Sequence, residues 1–311
     1  MTDLVKVVIA DKIGGPEVLK VIERPLSPPG PGSVAVSVKA VGVNPVDLKI
    51  LSGARGRAPE LPWQPGFEAA GVVKSVGAEV TAWRPGDEVI VFRAAGTYGS
   101  VLVVPEGALT AKPPALSWEQ AAGLLLAGAT AVHALEATRV ASGDLVLAHG
   151  AAGSVGQLLV QLARRRGASV IGTALPRNHT LLRALGATPV EYGDGLIERV
   201  RPVGAPTVAV DLVGTDEAFE VSLALVADRT RVVTIVNAPR FLAAGARAIG
   251  GGPGADPGTA IRDAARGELA SLAGAGHIAV RVAKTFPLDR AADALRFVGD
   301  GHADGKVILL P

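Results

Sequence analysis

The pattern of apolar and polar positions divides the chain into two parts with different periods. Through residue 113, short valine-rich runs such as VKVVIA, SVAVSVKAVGV and DEVIVF are separated by clusters of proline and glycine. The stretch RPGDE places proline and glycine at consecutive corners of a turn, which favours a reversal between neighbouring strands. The pattern predicts many short strands that form a small barrel or sandwich.

After Pro113-Pro114, strand-like runs alternate with helical ones. Ser117, followed by Glu119 and Gln120, is typical of a capped helix start. The alternation that follows predicts a parallel, doubly wound sheet. The predicted strands are DLVLAHG, ASVIGTA, TPVEY, TVAVDLVG and RVVTIVN, and the predicted helices are 155–166, HTLLRALG and EAFEVSLALV.

The last part of the chain begins with a stretch rich in glycine and proline, residues 239–258, which we predict to be a loop. A helix is predicted at 259–273, and the residues from HIAVRVAK onward return to a strand–helix–strand pattern. Two interpretations of 250–258 stay open: a surface loop, or a mobile lid over a substrate.

Composition and charge exclude several classes of protein. The 311 residues carry a formal net charge of +2, and 49% of them are hydrophobic, which favours two domains with sizeable cores. Binding to nucleic acid or to a membrane surface needs concentrated basic charge. The run RRR at 164–166 instead places cations at the end of a predicted helix. Because MTDLVKVVIADK lacks an apolar run of signal-peptide length, we expect a soluble cytoplasmic protein that binds neither nucleic acid nor membranes.

The sequence also argues against a metal site. It contains no cysteine, so disulfides and thiolate metal sites are excluded. The five histidines, at positions 133, 149, 179, 277 and 302, do not have the spacing of metal ligands. We interpret them as structural or surface residues.

The stretch AHGAAGSVGQLLVQLA, residues 148–163, joins a predicted strand to a predicted helix. Gly150, Gly153 and Gly156 stand in it at steps of three. Glycines let the backbone turn tightly and approach a pyrophosphate, while the start of the helix offers N–H groups to the phosphates. We predict a dinucleotide site; the alternative is a glycine-rich loop that only packs a helix against a strand.

The end of the next strand distinguishes the two nicotinamide dinucleotides. An NAD site has an acidic residue there, about 20 residues past the loop, to bind the ribose hydroxyls. The stretch GTALPRNH, residues 172–179, contains no acid, whereas Arg177 and Asn178 offer donors that suit a phosphate. We therefore predict NADPH rather than NADH. The alternative for Arg177 is a solvent-exposed loop arginine.

A series of motifs follows one another along the chain: AVGVNPVDLKILSG (40–53), PGFEAAGVVKSVG (65–77), RPGDEVIVF (84–92), LAGATAVHAL (126–135), HGAAGSVGQLLVQLA (149–163), LRALGA (182–187), AVDLVG (209–214) and GKVILL (305–310). Together they resemble the medium-chain dehydrogenase/reductase superfamily, in its zinc-free quinone oxidoreductase branch. The resemblance implies an α/β fold with two domains: a GroES-like, β-rich catalytic domain of residues 1–116 and 253–311, and a Rossmann doubly wound, parallel-sheet domain of residues 117–252.

Zinc-dependent members of this superfamily bind their catalytic metal through Cys, His and Cys. The matching positions here are Asn44, Phe67 and Leu126, and one amide with two hydrocarbon side chains cannot form a zinc site. The resemblance therefore implies hydride transfer from NADPH to a quinone or to an α,β-unsaturated carbonyl (enone or enoyl) compound without a Lewis acid.

The resemblance also implies which residues form the site. It places Asn44 beside the nicotinamide, with Asp47 and Lys49 as further catalytic candidates; the alternative is that Asn44-Pro45 forms a turn that Asp47 braces. The cofactor-binding residues that it implies, besides Asn44, are Thr130 near the nicotinamide; Gly150, Ala152, Gly153, Ser154, Val155 and Gly156 along the pyrophosphate; Thr173, Arg177, Asn178 and Tyr192 around the adenosine phosphate; and Val213, Gly214, Ile235 and Asn237 at further strand ends.

Two other functions stay open. One is a biosynthetic tailoring enzyme of the same fold that catalyses a reduction or a redox-neutral cyclisation, and the other is a non-catalytic NADPH-binding protein. Bacterial quinone reductases of this branch often carry tyrosines where this chain has Lys49 and Arg55, which weakens the case for simple quinones. Relatives commonly form homodimers by joining sheet edges, and RVVTIVN, residues 231–237, is expected near such an edge.

Overall fold

The computed structural model of the protein describes residues 4–55, 58–301 and 303–311; the expectation for His302 lies outside them. The chain forms two compact units. The β-rich unit comprises the residues up to Leu126 together with Gly267–Pro311, and the parallel-sheet unit comprises Ala127–Arg266. Each division lies within a helix, and the domain boundaries placed at 116 and 253 stay a prediction.

The first part of the β-rich unit consists mainly of antiparallel strands, as its valine-rich runs predict. Gly86, in the turn RPGDE, has a φ of +98°, a backbone conformation that glycine adopts without strain. Helix α2 begins after Ser117, whose hydroxyl accepts the N–H of Gln120, as the sequence predicts. The elements are β1 (Leu4–Ala10), β2 (Leu19–Pro25), β3 (Ser33–Val43), α1 (Pro45–Leu51), β4 (Glu68–Val76), β5 (Glu88–Phe92), β6 (Val101–Pro105), β7 (Leu109–Ala111) and α2 (Trp118–Ala122).

The middle of the chain alternates between strands and helices, which confirms the predicted parallel sheet. Its strands lie in the order β10-β9-β8-β11-β12-β13, and the direction of winding reverses between β8 and β11. In such sheets, ligands bind at the carboxyl ends of the strands where the order reverses. The elements are α3 (Leu125–Ala137), β8 (Leu145–His149), α4 (Ser154–Arg165), β9 (Ser169–Thr173), α5 (His179–Ala184), β10 (Thr188–Val190), α6 (Leu196–Val200), β11 (Val208–Asp211), α7 (Asp216–Leu225), β12 (Val232–Thr234), α8 (Ala238–Ala243), β13 (Arg247–Ala248) and α9 (Thr259–Gly274).

The prediction of an uninterrupted loop over 239–258 is wrong. Helix α8 and strand β13 occupy part of this range, because Phe241 is fully buried and anchors α8 in the core of the sheet. Both elements are short and lie among glycines and alanines, so the sequence shows no clear helical or strand period there. Strand β13 lies outside β12, so the strand predicted at 231–237 is one position in from the edge.

The chain then returns to the β-rich unit through β14 (Val282–Pro287), α10 (Ala291–Gly299) and β15 (Lys306–Leu310). The larger sheet of this unit has the order β14-β15-β3-β4-β5-β7, with β6 also paired to β3. Because β15 pairs with the end of β3, residues from the two ends of the sequence lie side by side. Side chains of both strands contribute to one hydrophobic core, which also receives Leu295 from α10.

Candidate functional site

The parallel-sheet unit carries a glycine loop between β8 and α4. Gly150 has a φ of +75°, and a Cβ there would lie 2.5 Å from a methyl group of Val213. Its N–H donates to the hydroxyl of Thr173 at 3.2 Å, which ties the loop to the end of β9. The turn therefore requires glycine at this position both for its conformation and for the space available.

The other two glycines of the loop differ from each other. A Cβ on Gly156 would lie 2.5 Å from the carbonyl oxygen of Gly150 and 2.6 Å from Cα of Ala151, so α4 packs directly on the loop backbone. By contrast, the nearest atom to a Cβ on Gly153 would be the Gly150 oxygen at 3.5 Å. Gly153 is thus the glycine whose missing side chain leaves room for a ligand, and Gly156 the one that close packing requires.

Helix α4 begins where this room lies. Gly153 is its N-cap and has no side chain with which to bind the first-turn N–H groups, so those of Ser154 and Val155 suit an anion. The amide of buried Gln157 donates to the carbonyl oxygen of Ala152 at 2.6 Å and holds the loop in place. The arrangement fits the pyrophosphate of a dinucleotide.

Exposed apolar side chains follow the neighbouring strand ends. Tyr192 after β10, Val213 after β11 and Val236 after β12 are 45%, 44% and 36% exposed. Ile235 and Asn237 flank Val236, and both are half-buried. Tyr192, Val213 and Val236 supply apolar surface along the edge of the sheet at which ligands bind in this fold.

Beneath that edge, a buried polar network joins β11 and β12, and His149 of β8 lies next to it. The carboxylate of Asp211 accepts the N–H groups of Val213 and Gly214 at 3.0 and 2.8 Å and the hydroxyl of Thr234 at 2.6 Å. His149 lies beside Asp211 in the strand pairing. Burial lowers the pKa of His149 to about 4, against the opposing attraction of Asp211, so its ring is neutral. The network fixes the loop that carries Val213.

The remaining predicted cofactor residues of this unit lie in different settings. Thr173 is buried beneath the glycine loop, Asn178 is largely buried in a short turn, and Arg177 beside it is exposed. The hydroxyl of Thr130 lies 3.3 Å from a guanidinium nitrogen of Arg262. Thr173 therefore supports the loop through its hydroxyl, whereas the side chain of Arg177 is exposed.

The β-rich unit carries the catalytic candidates, and here a helix replaces the turn considered for Asn44-Pro45. Asn44 precedes α1 and is 3% exposed; its backbone N–H donates to the carboxylate of Asp47 at 2.9 Å. Through this hydrogen bond Asp47, which is fully buried, caps the start of α1. Lys49 lies exposed in the same helix.

The side chain of Asn44 belongs to a buried cluster with Glu68 and Lys306. Its amide nitrogen donates to Glu68 Oε1 at 3.1 Å and to the carbonyl oxygen of Gly42 at 3.3 Å, while its oxygen accepts Lys306 Nζ at 2.7 Å. The ammonium of Lys306 also lies 2.6 Å from Glu68, and their side chains are 2% and 0% exposed. Glu68 in addition accepts the backbone N–H of Leu126 at 2.8 Å. The amide plane of Asn44 is thereby fixed.

Tyr98 extends the cluster. Its hydroxyl donates to Asp47 at 3.0 Å, and both side chains are fully buried. Burial raises the pKa of Asp47 to about 7, although its hydrogen bonds and the charge of Lys306 oppose the rise, and burial also raises the pKa of Tyr98. The second oxygen of Asp47 has no hydrogen-bond partner within the described residues. The group can therefore hold a proton near neutral pH.

Sequence reasoning missed Glu68, Lys306, Tyr98 and Asp211 as members of these networks. Glu68 lies in the motif PGFEAAG, and Lys306 lies in the motif GKVILL. A charged residue flanked by small and apolar residues predicts a buried, paired charge. The sequence therefore indicates that both charges are buried, but it does not identify their partners.

Two kinds of feature are absent from the described residues. Among residues 4–55, 58–301 and 303–311, no three or more His, Cys, Asp or Glu side chains are grouped as a metal site requires. Over the same residues, no helix combines the length and apolar character needed to span a bilayer.

Comparison with protein families identifies both parts of the chain. Residues 30–172 match the alcohol dehydrogenase GroES-like domain, and residues 185–309 match a domain described as zinc-binding dehydrogenase.

Individual proteins resemble the chain along nearly its whole length. The synaptic vesicle membrane protein VAT-1 homolog of Rattus norvegicus is 31% identical over 331 residues, which cover 96% of this chain and 82% of that protein. A quinone oxidoreductase of Sus scrofa is 30% identical, covering 96% and 95% of the two chains. The crystal structure of Escherichia coli quinone oxidoreductase complexed with NADPH superposes with a TM-score of 0.87 at 31% identity, covering 98% and 100%.

Proposed function

This chain belongs to the medium-chain dehydrogenase/reductase superfamily, in its quinone oxidoreductase branch, and we propose that it is a zinc-independent reductase that uses NADPH. Its proposed substrates are quinones or α,β-unsaturated carbonyl compounds, including enoyl compounds. The observation that carries the proposal is the glycine loop of the parallel-sheet unit: Gly153 leaves space at the start of α4, while Gly150 and Gly156 are required by the backbone.

The choice of NADPH is supported by the residues around the end of β9. Arg177 is exposed and its guanidinium suits a 2′-phosphate, and Asn178 lies next to it. No acid stands in residues 172–179 to bind a free 2′-hydroxyl. The Escherichia coli quinone oxidoreductase, which is 31% identical, was crystallised with NADPH. We propose that Tyr192 lies against the adenosine and that Ser154 and Val155 bind the pyrophosphate.

The proposed role of the β-rich unit is to orient the reacting partners. When bound, NADPH supplies the hydride that adds to the conjugated acceptor. We propose that Asn44 contacts the nicotinamide, that Asp47 is a positioning residue acting through Asn44, and that Lys49 is an exposed cation beside the substrate. Because Glu68 and Gly42 already accept from the Asn44 amide, a developing substrate oxyanion would receive its donors from elsewhere, including water.

The substrate class is tested by following the consumption of NADPH with a panel of quinones and of α,β-unsaturated ketones and thioesters. We expect NADPH to be consumed with members of this panel, and NADH to be consumed more slowly under the same conditions. Tight binding of NADPH without consumption would instead favour a redox-neutral tailoring enzyme or a non-catalytic binding protein. No binding of either nucleotide would overturn the proposal.

The phosphate preference is tested separately. In Arg177→Ala, the dissociation constant for NADPH should rise while that for NADH stays the same, because only the former carries the 2′-phosphate. Arg183→Ala, an exposed arginine of α5, makes the same change of charge and should alter neither constant. Equal use of NADH and NADPH by the unaltered protein would contradict the assignment of Arg177. The homodimer and the cytoplasmic location remain predictions from the sequence.

A further inference from the structure

The loop between β10 and α6, residues 191–195, carries Tyr192, and we call it the Tyr192 loop. It reads EYGDG, and the side chain of Tyr192 is 45% exposed at the edge of the sheet where ligands bind in this fold. Gly193 and Gly195 have φ values of +103° and +80°, conformations that glycine adopts without strain. Because glycines leave a loop many alternative conformations, other contacts are needed to hold this one.

The guanidinium of Arg199, in α6, supplies three of these contacts. Its Nε–H donates to the carbonyl oxygen of Glu191 at 2.9 Å, and its two terminal nitrogens donate to those of Gly193 and Asp194, both at 2.7 Å. The three acceptors lie on both sides of Tyr192 in the sequence. Since hydrogen bonds from a charged donor are stronger than neutral ones, one side chain fixes the backbone that carries Tyr192.

A contact from α7 holds the same loop. The N–H of Gly193 donates to Oε1 of Glu217 at 2.8 Å, so Gly193 is bonded through its carbonyl oxygen to Arg199 and through its N–H to Glu217. Arg199 is half-buried, whereas Arg201, two positions further along the chain, is exposed. A guanidinium spreads its donors over a rigid planar fork, while a lysine offers them from a single atom. The loop is therefore held by the geometry of an arginine.

We propose that Arg199 is a positioning residue for the nucleotide, which holds the Tyr192 loop so that Tyr192 meets the adenosine end of NADPH without first having to be ordered. Ordering a loop and its side chains at the moment of binding lowers affinity, and a loop that is already held avoids this loss. Arg199 bonds to the backbone of the loop and acts on the nucleotide through Tyr192. The proposal rests on the proposed binding of NADPH.

The test measures the dissociation constant for NADPH by calorimetry in the unaltered protein, in Arg199→Met, in Tyr192→Ala and in the variant with both changes. In each single variant the constant should rise about tenfold, a contribution typical of an aromatic contact to a nucleotide. In the double variant it should rise no further than in Tyr192→Ala, because the effect of Arg199 is carried by that side chain. A general loss of stability would instead add to the effect of Tyr192→Ala.

Three further variants separate geometry from charge. Arg201→Met is the matched control, because it removes the same charge from a nearby exposed side chain, and it should leave the constant unchanged. Arg199→Lys keeps the charge but not the fork, so it should resemble Arg199→Met. Glu217→Gln keeps an acceptor for the N–H of Gly193 but removes its charge, so it should give a smaller rise.

Additive losses in the double variant would overturn the proposal, as would an unchanged constant in Arg199→Met or full affinity in Arg199→Lys. Should Arg199→Met fail to fold, Arg199→Lys and Glu217→Gln take its place in the same comparison with Tyr192→Ala. Failure of the proposed function gives a different result, because the unaltered protein would then not bind NADPH at all. Binding by the unaltered protein together with additive losses would overturn the role of Arg199 alone.

Discussion

The two candidate sites of this protein are built from different parts of the polypeptide. In the parallel-sheet unit, backbone groups form the site. Its shape depends on the absence of side chains at Gly150, Gly153 and Gly156. In the β-rich unit, the site is a cluster of buried polar side chains in which Asn44, Glu68 and Lys306 bind one another. In the backbone site, an added side chain disturbs either packing or ligand binding, whereas in the side-chain cluster the loss of one residue leaves the others without a partner. Their responses to substitution and to pH should therefore differ in kind.

The largest expected effect comes from removing the buried cation. Lys306→Met leaves the carboxylate of Glu68 buried without its counter-charge, which should lower the free energy of unfolding by about 3–5 kcal/mol. Urea unfolding measures the change. Lys20→Met is the matched control, since Lys20 and its partner Asp11 have side chains 52% and 54% exposed, and their ion pair should contribute about 1 kcal/mol or less. A loss in Lys306→Met no larger than in Lys20→Met would show that the cluster is not held by its charges. Lys306→Met with Glu68→Gln should recover much of the loss.

The next effect concerns the acid of the same cluster. Burial raises the pKa of Asp47 from 3.8 to about 7, so in this pH range the folded chain holds a proton that the unfolded chain has lost. The contribution of Asp47 to stability should therefore fall as pH rises through the range, by on the order of 4 kcal/mol. The melting temperature of the unaltered protein, taken relative to that of Asp47→Asn at each pH, should fall across the range. Parallel curves for the two proteins would mean that Asp47 is already ionised in the acid range.

The parallel-sheet unit should show the opposite sign. Burial lowers the pKa of His149 from 6.5 to about 4, so between these values the unfolded chain binds a proton that the folded chain does not. Stability should be lost as pH falls through this range, by on the order of 3 kcal/mol. In the unaltered protein, this slope partly cancels that of Asp47. In His149→Gln, which lacks the imidazole, the dependence of stability on pH should therefore show the contribution of Asp47 more fully. An unchanged slope of stability against pH would contradict the lowered pKa of His149.

The smallest expected effects separate two glycines of one loop. The Cβ in Gly156→Ala would lie 2.5 Å from a backbone oxygen, and the resulting overpacking should cost about 1–3 kcal/mol. In Gly153→Ala the Cβ makes only an ordinary contact, 3.5 Å from the Gly150 oxygen, so the loss should stay below about 1 kcal/mol, the effect of alanine at an N-cap. Affinity for NADPH, measured by calorimetry, should nevertheless fall in Gly153→Ala. Equal unfolding midpoints for the two variants would remove the distinction between packing and binding glycines.

The sequence predicted the backbone site better than the side-chain cluster, for a physical reason. The glycine loop, its strand and its helix are contiguous, so local turn and helix preferences reveal all three. In the cluster, Glu68 bonds to Lys306 across 238 positions of sequence, and Tyr98 reaches Asp47 across 51. Such pairs are defined by strand order, which no local pattern encodes. For the same reason, α8 and β13 were missed in a stretch where buried Phe241 provides the main apolar anchor.

The pairing of β15 with β3 has a consequence for synthesis on the ribosome. Asn44 and Glu68 emerge early, but the ammonium that neutralises Glu68 is carried by Lys306, 262 residues after Asn44. The whole parallel-sheet unit, Ala127–Arg266, is translated in the interval and can complete its sheet first. During this interval the carboxylate of Glu68 has no counter-charge from Lys306, and the sheet of the β-rich unit is completed only after β15 has been synthesised.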